Sequence, residues 1–136
     1  MSWDVYLIRT KTNSEAINEI EYSNILKFEK KEMIQELQRL ANELDLFLTD
    51  LDKRYVHLRG NNWSIEFDFW DGKEPYINID MEIRGSKEPV EVLERLKMDL
   101  NTRIVDTCTY AFWMKDSRSG FPDWNKLNDK IKEIGL

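Results

Sequence analysis

The chain has 136 residues, a formal net charge of −6 and an isoelectric point near 4.9. Hydrophobic residues at 41% and aromatics at 12% take it out of the disordered class, and the length suits one compact domain with a real core. The acidity argues against nucleic acid, whose phosphates need a basic face, and favours encounter with a basic partner. A single cysteine, Cys108, excludes an internal disulfide and a cysteine-rich zinc site. With no leader-like opening and no apolar run of membrane-spanning length, a cytoplasmic protein without a membrane role is the expectation.

Ser2 to Arg9 reads as a first strand, apolar on both faces and therefore interior to a sheet. Thr10 to Lys27 is polar and weakly patterned, a loop with one helical turn around Glu15 to Ile20. From Glu29 the apolar residues Met33, Ile34, Leu37, Leu40, Ala41 and Leu44 recur at three- and four-residue steps, which predicts a helix. Asn42 to Arg54 loses the pattern.

Tyr55 to Arg84 then alternates strictly and predicts three strands. One face collects Val56, Leu58, Ile65, Phe67, Phe69, Ile77, Ile79, Met81 and Ile83, and must be core. The other collects Tyr55, His57, Arg59, Glu66, Asp68, Trp70, Tyr76, Asn78, Asp80, Glu82 and Arg84. Asn61-Asn62 suits a two-residue hairpin loop, because asparagine tolerates left-handed backbone. Closure there pairs Leu58 with Ile65, Val56 with Phe67 and His57 with Glu66. A second loop over Asp71 to Pro75 pairs Phe69 with Ile77, Phe67 with Ile79 and Glu66 with Asp80.

A second helix follows, with Ser86 as its cap, Pro89 in its first turn and Val92, Leu93, Leu96 and Leu100 as its buried stripe. Ile104 to Trp113 predicts a last strand and Ser117 to Pro122 a loop. Asp123 opens a terminal helix with Trp124, Leu127, Ile131 and Ile134 on one side. The order β-α-β-β-β-α-β-α predicts one α+β domain over residues 1–136, residues 114–136 forming a C-terminal loop and helix. Its single antiparallel or mixed sheet has about five strands, with helices mainly on one face.

The polar face carries the readable chemistry. In the proposed registers His57, Glu66 and Asp80 form a line across three strands, beside Arg59–Ser64–Glu82 and Tyr55–Asp68–Asn78. Three readings stand: an ordinary solvated face, a surface that receives a basic partner, and a small metal-dependent enzyme using His57, Glu66 and Asp80. Burial of the face against a second copy, as a homo-oligomeric scaffold, is a further one. Trp70, Tyr76 and Tyr55, with Trp63 at the hairpin mouth, give the face the mixed aromatic and acidic composition of many interfaces. Trp3, Trp113 and Trp124 are expected in or at the edge of the core. No catalytic residue set is evident. The lone histidine has no Ser-His-Asp or Cys-His arrangement around it, no glycine loop cradles a phosphate, and no cofactor is expected.

Several short motifs occur together: Met1-Ser2-Trp3-Asp4, Ser64-Ile65-Glu66-Phe67, Arg84-Gly85, and Val105 to Thr109 after the helix containing Val92 to Leu96. In these the chain resembles a family of small, uncharacterised bacterial cytosolic proteins that open with Met-Ser-Trp-Asp. Thr107-Cys108-Thr109-Tyr110 departs from that family's Ser-Thr-Gly form and lacks its glycine. Size, acidity and open sheet are similar to those of immunity proteins that neutralise bacterial toxins. What this likeness implies is a non-enzymatic inhibitor. It would dock a basic toxin surface through Tyr55, His57, Glu66, Asp68, Trp70, Tyr76, Asp80 and Glu82.

Overall fold

The computed structural model describes residues 2–116 and 119–121; the expected terminal helix lies outside the described residues. The architecture is α+β, with one antiparallel sheet and two α-helices. Strand β1 (Trp3–Ile8) is followed by α1 (Lys30–Leu44), β2 (Phe47–Thr49), β3 (Tyr55–Gly60), β4 (Trp63–Asp68) and β5 (Ile79–Gly85). Helix α2 (Val90–Leu100), β6 (Arg103–Asp106) and β7 (Ala111–Phe112) complete it. The sheet has seven strands in the order β2-β3-β4-β5-β1-β6-β7, rather than about five. Because β1 runs antiparallel to both β5 and β6, those two run parallel on either side of it, and α2 is the crossover that connects them.

β1 lies inside the sheet, as its apolar content predicts, with Trp3, Val5 and Leu7 fully or almost fully buried. Both helices join the same core as the apolar sheet face. α1 contributes Met33, Leu37, Leu40 and Ala41, and α2 contributes Val92, Leu93, Leu96 and Leu100. Each large aliphatic side chain so buried contributes roughly 1.5–3 kcal/mol. Both helices stop on a left-handed residue, Asp45 at φ 55° and Asn101 at φ 52°, each polar side chain easing a backbone that others resist. The helical turn expected near Glu15 is a short 3-10 turn, Ile17–Glu19. A second 3-10 turn spans Tyr22–Asn24.

Three local expectations are corrected. Ser86 does not cap α2: Pro89 holds the cap position without a side-chain bond, and the Ser86 and Lys87 amides instead donate to the Asn62 carbonyl. The single strand expected over Ile104 to Trp113 is a hairpin, β6 and β7. Asp106 turns the chain there, since its side chain accepts from the Cys108 amide and its carbonyl from the Tyr110 amide. Tyr110 supplies the left-handed turn residue at φ 54°, so the turn forms without a glycine. The third correction is β2, three residues long and too short to show alternation.

Asp106 itself is 1% exposed and also accepts from Trp3 Nε1 and from the Gly120 amide. Phe121 meets Trp3 edge-on at 5.6 Å, so residues 119–121 are fastened to β1 and β6 from the core side.

Candidate functional site

The β3–β4 hairpin pairs as the Asn61-Asn62 turn predicts, with Leu58 opposite Ile65, Val56 opposite Phe67 and His57 opposite Glu66. Asn62 takes the left-handed conformation at φ 68°. The next register differs by two residues. Glu66 faces Glu82, Phe67 faces Met81 and Ile65 faces Ile83, so the expected pairs Glu66–Asp80, Phe67–Ile79 and Phe69–Ile77 do not form. The cause lies in the loop: Tyr76 is drawn into a backbone bridge with Phe28, each amide donating to the other's carbonyl at 2.8 Å, and β5 begins only at Ile79. Tyr76 therefore faces the core at 2% exposure, against Phe69, and is not on the polar face expected to dock a partner. Burial, with the Glu74 and Asp71 carboxylates, pushes its phenol up to about 12. Ile77, expected in the core, is exposed. Trp63 packs against the helix side of the sheet, its ring lying on Gly60.

The line across the polar face is thus Thr49, His57, Glu66, Glu82 and Asp4, one residue from each of β2, β3, β4, β5 and β1. Arg59–Ser64–Arg84 lies on one side of it, and Tyr55–Asp68 with Asp80–Tyr6 on the other. The His57–Glu66–Asp80 line on which a metal-dependent reading rests is not formed. Among the described residues no group of His, Cys, Asp and Glu could hold a metal ion.

His57 is engaged at both nitrogens, Nδ1 with Asp50 at 2.9 Å and Nε2 with Glu66 at 3.0 Å. The His57 bond, ahead of all other causes, holds the Asp50 carboxyl below its usual range. Arg54 donates twice to Asp68, at 2.9 and 3.1 Å, and its guanidinium lies over both the Tyr55 and Trp70 rings. Arg84 donates to Glu82 at 2.8 Å. Even so, burial and then the facing Glu66 raise the Glu82 carboxyl above its usual range. Burial also raises Asp80, with Asp68 and Asp4 adding to it against the opposing pull of Lys73. Among the described residues, Asp4 and Asp80 form no ion pair.

Of the residues expected to dock a partner, Tyr55, His57, Glu66, Asp68, Trp70, Asp80 and Glu82 stand on or at the edge of this face, with Tyr55 and Trp70 exposed. Sequence reasoning missed Asp4, Tyr6, Asp50 and Arg54. Asp4 and Tyr6 alternate with Trp3, Val5 and Leu7, a period-two signal masked by the strand's apolar content. Asp50 and Arg54 precede β3 in a stretch with no pattern at all. A separate cleft of about 710 Å³ opens on the helix side, between α2, Trp63 and the Leu44–Leu46 turn, and none of the expected site residues lines it.

The fold and the face define an α+β domain whose sheet is covered by helices on one side and presents an acidic, aromatic-edged surface on the other. No protein-family model, curated protein or solved structure matches the chain.

Proposed function

We propose that the protein is a non-enzymatic protein-binding module that works as an immunity-type inhibitor, docking a basic toxin domain through the polar sheet face. The observation that carries this is the imbalance of that face. Carboxylates from β1, β4 and β5 face one another across neighbouring strands, Asp4 and Asp80 form no ion pair among the described residues, and Tyr55 and Trp70 stand exposed at the edge. Like charges directly opposed cost a sheet stability. A partner that supplies the missing cations offsets that cost and gains orientation from charge complementarity. Exposed Tyr and Trp provide rigid apolar area at small entropic cost.

The test is co-expression with the product of the adjacent gene. Growth inhibition by that product, relieved by this protein, supports the reading. Failure of the wild-type chain to bind the product or to protect overturns it. Asp4→Lys with Asp80→Lys should slow association most at low salt and abolish protection. Unchanged protection by that pair would remove the sheet face from the interface.

A further inference from the structure

Asp50 and Glu66 bind His57 from opposite sides of its ring, and the chemistry of that contact counts protons. An ionised carboxylate only accepts, so each bond needs an N–H on the ring; neutral imidazole has one and imidazolium has two. Asp50 keeps to the ionised form, held there chiefly by this bond. Glu66 meets the ring through its carboxylate Oε1, while burial and then the facing Glu66 raise the Glu82 carboxyl above its usual range. Among the described residues, Lys53 lies 3.6 Å from Asp50 on the same loop, Thr49 stands opposite the ring on β2, and Ser64 and Asp68 flank Glu66 on the same face of β4. Tyr55 and Arg59 are its same-face neighbours on β3.

We propose that His57 is a proton-operated latch of the docking face: two ring protons tie the loop at Asp50 to strand β4, and loss of one proton unties it. The inference rests on the docking reading above and names a regulation of that same face. The end that opens is the loop end. Glu66 is fixed in a paired strand, whereas Asp50 stands in a left-handed turn at φ 64°, outside any strand. Opening removes one positive charge from beside the Glu66–Glu82 pair, so the face holds a basic partner more tightly above the titration than below it.

A nuclear magnetic resonance pH titration of the ring, carried from its doubly to its singly protonated form, tests the latch. Both ring nitrogens should report an attached proton at the acid end and only one at the other. The backbone amides of Asp50, Leu51, Asp52 and Lys53 should move with the same midpoint, and in His57→Gln those movements should vanish. A ring with a single proton throughout overturns the proposal. So do loop amides that ignore the ring, or that titrate unchanged in the glutamine variant. The two readings fail separately. A chain that titrates as described but gives no protection loses the docking role alone, and one that protects without the loop movement loses the latch alone.

Discussion

Glu66 and Glu82 face each other as direct partners across β4 and β5, with Arg84 holding Glu82 from one side and His57 holding Glu66 from the other. Two carboxylates in that relation repel, and burial first, then the facing Glu66, raises the Glu82 carboxyl above its usual range. A group whose folded-state affinity for protons exceeds its unfolded one favours the fold most below its unfolded titration, and that contribution fades as pH rises through the folded value. Glu82→Gln keeps the shape and removes the charge. Its melting temperature should exceed that of the wild type by about 1–3 °C at pH 7, the size of one unfavourable cross-strand pair. The gap should close as pH falls toward 4. Calorimetry at both pH values decides it, and a gap that widens in acid contradicts the pairing.

Asp106 gathers Trp3 Nε1–H, the Cys108 amide and the Gly120 amide around one buried carboxylate. Asp106→Ala strands these donors and should cost about 3 kcal/mol or more, since each unmet buried donor costs roughly 1–3 kcal/mol. Urea titration followed by tryptophan fluorescence reads both the loss and the change around Trp3.

Gly85 closes β5 at φ 127°, and a Cβ there would collide with the Asn62 carbonyl oxygen. That carbonyl already accepts from the Ser86 and Lys87 amides, so it has no room to retreat. Gly85→Ala should therefore destabilise by about 2 kcal/mol or more through backbone strain and contact together. Chemical denaturation measures it, with an alanine at the exposed Gly72 as a milder comparison.

Trp70 and Tyr76 have the same sequence credentials and opposite situations, 47% against 2% exposed. Trp70→Ala should leave stability within about 0.5 kcal/mol of the wild type while weakening partner binding. Tyr76→Ala should cost about 3–5 kcal/mol, as for other buried aromatics. Equal stability losses in the two variants would place Trp70 in the core and remove it from the docking edge.

The contrast between those residues shows how far the sequence could be read. Alternation from Tyr55 to Arg84 identified the core face at nearly every position, because burial acts on each side chain separately. The β3–β4 register was legible because Asn61-Asn62 leaves only one way to close. The β4–β5 register was not. Its loop is long, and what sets its length is the bridge between Tyr76 and Phe28, residues far apart in the chain. Asp4 and Asp50 joined the face for the same kind of reason: only the pairing of β1 with β5, and the fold of the β2–β3 loop, bring them to Glu82 and His57.

The offset of two residues in β5 has a wider consequence. Sliding β5 past β4 by one full pleat keeps every side chain on its own face of the sheet, although it would carry Gly85 away from its close approach to Asn62. The charge pattern is not kept, because each such step exchanges one carboxylate or arginine for another in front of Glu66. A two-residue insertion or deletion between Phe69 and Ile79 would act as a vernier, re-indexing the charge pattern offered to a partner while the hydrophobic contacts beneath keep their parity. Recognition and folding are thereby written in the same strand but on separate scales.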